Sequence, residues 1–280
     1  MKRFTLRIMI FLFYSAAVNA QFRFTVTSDP HDSTDTWKHT LNEMNRICGD
    51  EGIFHITCGN EDPPQDRYDD LKNVCGDDVI WYPCVGDHSR KYMDWHNHFY
   101  SNYSRLPYMQ NAKPGPTHCA KTTFSFDYGN AHFIQLNEFY NGNSDFGTDG
   151  DVVDSLYNWL AKDLNTNTKP AILVWGHEPA YPIGGHIGSS LDKYTENRDR
   201  FWQLLEDKKV VAYITGHTHR YSRTQRPGGG KVWQIDIGTT TKKKPFTFAD
   251  IYVGATKVSF KVYRGEYGKF SLQDSLEVAR

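Results

Sequence analysis

Five short stretches of the chain carry residue types that bind metal ions: Asp29-Pro30-His31, Gly59-Asn60, Gly86-Asp87-His88, Gly176-His177 and Gly216-His217-Thr218-His219. Carboxylate oxygen, amide oxygen and imidazole nitrogen are ligands of intermediate hardness. They suit iron, zinc or manganese better than a thiolate site would. Glycine beside four of the five is expected to let the backbone turn tightly, so that each side chain faces a common centre. Each stretch alone has a plainer reading: Asp29 as a helix cap, Asn60 as a turn residue, His177 as a satisfied core histidine. Their recurrence in one chain points to a shared metal centre, and one with more than one ion.

Such a centre needs elements that bring distant residues together. Apolar, β-branched runs at residues 22–27, 53–58, 79–85, 171–175 and 210–214 read as buried strands, and each delivers one of the five stretches just past its end. Between them, helical spacing is read over residues 35–47, 67–74, 90–103, 151–164 and 194–205, with Gly49 as a stop. Alternating strand and helix predicts an α/β fold, whose ligands gather at the carboxyl ends of the strands. Residues 122–127 and 131–138 read as a hairpin turned at Tyr128-Gly129-Asn130. Residues 109–118 and 178–190 read as loops, and from Tyr221 onward the runs at 232–237, 246–253 and 258–263 are expected to pair antiparallel. No repeat or linker divides the chain, so residues 21–280 are expected to form one domain.

Composition narrows the function classes. With 280 residues, 39% hydrophobic residues and a formal net charge of −1, the chain has neither a disordered composition nor a basic surface, and nucleic acid is not expected as a partner. Lys2, Arg3 and Arg7 precede an apolar run from Ile8 to Tyr14, and small residues lead to Val18-Asn19-Ala20. This is the form of a secretory signal peptide over residues 1–20, cleaved after Ala20, and it predicts a secreted or periplasmic protein with no remaining membrane span. The five cysteines, Cys48, Cys58, Cys75, Cys84 and Cys119, allow up to two disulfides in an oxidising compartment. Cys58 and Cys84 equally suit buried free thiols.

The order and spacing of the motifs from Asp29 to His219 resemble the calcineurin-like metallophosphoesterase superfamily. The resemblance implies a four-layer αββα sandwich, with two mixed β-sheets flanked by helices, and two divalent or trivalent ions (Fe, Zn or Mn). It implies that Asp29, His31 and His219 bind the first ion, that His177, His217 and Asp87 bind the second, and that Asn60 lies between them. His88 matches the histidine that protonates the leaving group; the plainer reading is a histidine that only hydrogen-bonds a ligand. The activity implied is hydrolysis of a phosphomonoester or phosphodiester, on a small molecule or a surface, by a metal-activated water.

Three departures stand out. The family usually has Gly-Asp in the second motif and Gly-Asn-His in the third, whereas this chain has Gly59-Asn60 and Gly86-Asp87-His88. Acid and amide are exchanged, so either Asp87 takes the bridging role or the pair of ions is held more weakly. That exchange supports a second reading, a catalytically impaired relative that binds a phosphorylated ligand or a partner; a metallohydrolase acting on something other than a phosphoester is a third. Pro63 replaces an acidic residue common in the family, with Glu61 or Asp62 as partial substitutes. The tyrosine of the purple acid phosphatase subgroup is also missing, with Pro63 and Pro64 in that neighbourhood, which disfavours that subgroup. His186 either touches substrate or is an ordinary loop histidine, and Arg220 pairs either with a phosphate or with a sheet-edge carboxylate.

Overall fold

The computed structural model describes residues 21–49, 52–101, 109–241 and 245–280. The expected signal peptide lies outside the described residues. Among them, no helix is long and apolar enough to cross a membrane.

Strands β1 (Phe22–Thr27), β2 (Gly52–Thr57) and β3 (Trp81–Pro83) are parallel neighbours. Strands β11 (Phe246–Val253), β12 (Lys257–Glu266) and β13 (Lys269–Ala279) extend them antiparallel, in the order β13-β12-β11-β1-β2-β3. The second sheet contains β4 (Gln110–Pro114), β5 (Phe124–Tyr128), β6 (Ala131–Gln135), β7 (Ala171–Trp175), β8 (Ala212–Thr215), β9 (Tyr221–Thr224) and β10 (Trp233–Ile237). Its order is β4-β5-β6-β7-β8-β10-β9, with β6, β7, β8 and β10 parallel. Helices α1 (Thr34–Cys48) and α2 (Pro64–Cys75) cover the first sheet, and α4 (Asp154–Thr166) and α5 (Thr195–Asp207) cover the second. The short α3 (Met93–Phe99) follows β3.

Side-chain alternation explains the layers. Phe22, Phe24 and Val26 of β1 point between the sheets, where they meet Phe133, Leu173 and Trp175. From the same strands of the second sheet, Ile134, Ile172 and Val174 point outward to Leu156, Leu160 and Leu164 of α4 and to Phe201 and Trp202 of α5. On the outer face of the first sheet, Trp37, Leu41 and Met44 of α1 pack with Trp81 and Phe248. The four-layer αββα sandwich implied by the resemblance is the fold observed.

Several element expectations need correction. The segment 109–118 was expected as a loop but holds β4, an edge strand where Pro114 is tolerated because its missing N–H faces no further partner. The third strand is shorter than expected, and the helix expected over 90–103 is a 3₁₀ turn (Ser89–Tyr92) followed by α3, with residues 102 and 103 outside the described residues. The C-terminal part is not uniformly antiparallel, since β10 pairs parallel with β8. Cys48, Cys58, Cys84 and Cys119 are unbridged, against the allowance for two disulfides. Cys58 and Cys84 lie between the sheets and Cys119 in the cluster under α4, each packed as a small apolar side chain.

Candidate metal centre

The parallel strands β1, β2 and β3 of one sheet and β7 and β8 of the other end at one edge of the sandwich. The segments that follow them carry Asp29 and His31, Asn60 and Asp62, Asp87 and His88, His177, and His217 and His219. These turns are tight. Six of the eight non-glycine residues at positive φ among the described residues are Asp29, His31, Asn60, His186, His217 and His219. Strained backbone of this kind persists only where the surroundings over-determine it, and here it is gathered at one place. The neighbouring glycines act partly through space and not only through turning. Gly59 has φ +90°, but at Gly216 the need is room, because a Cβ there would strike the side chains of Ser28 and Asp29.

Among the described residues three three-residue sets result, each with one ligand atom per residue and all three atoms within 4.8 Å of one another: two at the centre, and His31, Asp62 and His88 at its rim. In the first, Asp29 Oδ1 lies 3.3 Å from His219 Nε2 and 3.6 Å from His31 Nε2. The two imidazole nitrogens are 3.1 Å apart. In the second, Asp87 Oδ1 lies 3.0 Å from His177 Nε2 and 3.7 Å from His217 Nδ1, and those two nitrogens are 3.2 Å apart. Asn60 stands between the sets. Its Nδ2 donates to Asp29 Oδ1 at 3.0 Å and to Asp87 Oδ1 at 2.8 Å, while its Oδ1 accepts the His88 N–H at 3.1 Å.

The outer nitrogens of three of the four imidazoles face partners, which fixes the direction of the inner ones, while His219 Nδ1 is buried without one. His177 Nδ1 donates to the Cys58 carbonyl at 2.7 Å, and His31 Nδ1 faces Asp62 Oδ1 at 3.2 Å. His217 Nε2 faces the Ser189 carbonyl at 3.4 Å. Such partners select the tautomer that turns a lone pair inward. Asp29 Oδ2 accepts from Ser28 Oγ at 2.6 Å and from the His217 N–H at 2.9 Å, which frees Oδ1 for the centre.

Electrostatics at the centre are those of opposed charges out of water. Burial alone would raise the Asp29 carboxyl, but His177, His219 and His31 hold it well below the usual range. Burial would lower His177, yet Asp29 and Asp87 push it up to about 10. Asp87 is likewise held far down despite burial, by His177 and His217. A cation placed among these atoms would satisfy both carboxylates and take the inward lone pairs, and the donor set fits iron, zinc or manganese.

Four residues around the centre were not assigned, or only loosely, by sequence. Asp62, and not Glu61, reaches the site: besides His31 it lies 3.6 Å from His88. Glu61 is buried with neither carboxylate oxygen partnered, and burial raises it well above the usual range. Glu138, at the end of β6, accepts the His177 and Glu178 N–H groups at 2.9 and 2.8 Å and the Tyr213 hydroxyl, and burial pushes it up to about 7. It lies past a strand end like the expected ligands, and that position was its available signal. The His186 ring lies 4.1 Å from that of His217, so the loop histidine is part of the site. His88 is exposed at the rim, with its ring 4.8 Å from that of His31.

A groove of about 300 Å³ opens beside the second set, lined by Arg90, Phe146, Glu178, His186 and Ser189 among others. Arg90 has no ion-pair partner among the described residues; its guanidinium rests 4.6 Å from the Phe146 ring, which stacks on Phe139 at 5.0 Å. A second cavity, about 390 Å³, lies under the C-terminal ends of α1 and α2, away from the ligand sets. Its one imidazole, His55, is taken by Thr25 and Thr27.

Comparison with known proteins follows the same lines. The chain is 27% identical over 160 residues to purple acid phosphatase 18 of Arabidopsis thaliana, which covers 54% of this chain and 32% of that relative. Its fold is similar to a purple acid phosphatase from yellow lupin (Lupinus luteus), with TM-score 0.65 and 13% identity over 94% of this chain and 55% of that one. It is also similar to a dimetal phosphatase from Danio rerio, with TM-score 0.61 and 12% identity over 92% of this chain and 98% of that one. Similarity thus extends to the subgroup that the missing tyrosine disfavoured, although Pro63 and Pro64 still stand in that neighbourhood. The calcineurin-like phosphoesterase family profile matches residues 22–221, and the chain belongs to that family.

Proposed function

We propose that the chain is an exported, metal-dependent phosphoester hydrolase. One ion would be held by Asp29, His31 and His219 and the other by Asp87, His177 and His217. The observation that carries this reading is the convergence of two carboxylate–imidazole sets from four strand ends, with the outer nitrogens of His31, His177 and His217 already facing a carboxylate or a carbonyl. When bound, the ions would supply Lewis acidity, lowering the pKa of water and neutralising charge that develops on the phosphoryl oxygens. The chain's own residues do the rest. Arg90 and His186, at the groove, bind and orient the phosphate oxygens. His88 holds a proton at the rim and passes it to the departing oxygen, with Asp62 orienting the ring. Phe139 and Phe146 wall the groove and set the Arg90 guanidinium in place. The basic and apolar start of the chain, residues 1–20, supports export.

The test is turnover of an aryl phosphate and of its diester by protein loaded with manganese, zinc or iron, with and without a chelator. Chelator-sensitive hydrolysis of either is the expected result. Two bound ions with no turnover of either ester would favour the second reading, a phosphate-binding relative, for which the uncharged Asn60 between the sets is the specific support.

A further inference from the structure

The carboxylates of the centre are divided, not shared. Each set has one carboxylate and two imidazoles, and the four carboxylate oxygens are all assigned to one side or the other. Asp29 Oδ1 faces His31 and His219, and Asp29 Oδ2 is held by Ser28 and the His217 N–H. Asp87 Oδ1 faces His177 and His217, and Asp87 Oδ2 lies 3.8 Å from His88. The group between the sets is the Asn60 amide, and it turns its NH₂ to both carboxylates. Its partners fix that orientation, because rotating the amide would set its oxygen against two carboxylate oxygens and its NH₂ against the His88 N–H. An NH₂ offers a cation no lone pair, and the amide carries no charge to offset the repulsion between two cations on either side of it.

We propose that the two ions load separately, the first among Asp29, His31 and His219, and that the second is retained only together with a phosphate anion that joins them. The anion takes the place a shared carboxylate would fill: several oxygens on one charged group can reach both ions. This rests on the metal-dependent reading above and adds to it that substrate and second ion bind as a unit. The order follows from burial. Asp29 is fully buried and Asp87 is 35% exposed, so attraction to the first carboxylate is screened less, and Asp62 stands behind His31 to orient it.

The experiment is calorimetric titration of the metal-free protein with Mn²⁺, with and without inorganic phosphate, and with spin resonance to distinguish isolated from coupled ions. Without phosphate, two steps about tenfold or more apart are expected, with an uncoupled signal. Phosphate should tighten the second step about tenfold and leave the first nearly unmoved, as linkage between ion and anion requires. Asp87→Ala should keep the first step and lose the second, and Asn60→Asp should fill both steps without phosphate. Entry of both ions in one step without phosphate, or a second step indifferent to phosphate, would overturn the proposal while leaving the hydrolase reading intact. Failure to bind even one ion would overturn the hydrolase reading itself.

Discussion

Two regions of this molecule place histidine between carboxylates, and they are built in opposite ways. On the second sheet, His132 of β6 is buried with both ring nitrogens taken, Nδ1 by Asp127 and Nε2 by Asp163, each at 2.7 Å. Lys113 closes the charge on Asp163 at 2.8 Å, and Asn111 donates to Asp127. At the metal centre, imidazole faces imidazole across 3.1 and 3.2 Å, with the inward nitrogens pointed at one another. A network that satisfies itself is structural, tying β4, β5, β6 and α4 together. One that leaves like groups converging is completed by something from outside.

The largest expected effect of breaking this contrast is at His177. His177→Ala removes an inward ligand and the tie to Cys58, and should lower metal-dependent turnover by about a thousandfold or more. The corresponding change at the clamp, His132→Gln, should leave turnover within about twofold under conditions where the protein stays folded; rate measurements on both variants compare the two regions directly. His88→Ala comes next. A lost leaving-group proton should cost about a hundredfold in kcat, and an aryl ester with a good leaving group should be spared most of that loss.

The clamp has its own signature in stability against pH. Burial would lower His132, but Asp127 and Asp163 raise it above its ordinary 6.5. Burial would raise those carboxyls, but His132 holds both below 3.8. A raised histidine stabilises fully below about 6.5 and loses that contribution as pH rises through its folded value; the depressed carboxyls contribute above about 3.8 and lose theirs as pH falls. His132→Gln should therefore destabilise by about 3 kcal/mol between about pH 4 and 6.5 and by less in alkali. Denaturant titrations of both proteins at pH 5.5 and 9 measure the difference, and equal losses at both would remove the charge account. The smallest expected effect is at Arg90, where Arg90→Ala should raise KM for a phosphomonoester about three- to tenfold with little change in kcat.

Much of the centre was legible in sequence because its signals are local. A polar ligand just past an apolar strand can be read without knowing what the strand pairs with; Asp29, His31, Asp87, His177, His217 and His219 all lie there, and Asp87, His177 and His217 also follow a glycine directly. Asn60 was legible as a position but not as an orientation, since only its partners show which end of the amide faces inward. Asp62 was one of two neighbouring candidates, separated only by which way the turn after β2 points its side chains. The clamp was invisible for a different reason. His132 sits inside a strand, and Asp127, Asp163 and Lys113 reach it only through pairings 5 to 50 residues distant in sequence. The same limit hid β4, β13 and the parallel pairing of β10 with β8.

The measurement that bears most directly on the metal centre is anomalous scattering from crystals of the protein soaked in Mn²⁺ and phosphate. Two peaks are predicted, one bounded by Asp29, His31 and His219 and one by Asp87, His177 and His217, with phosphate density touching both. Ions bound only elsewhere on the surface, or no ordered ion at all, would contradict it.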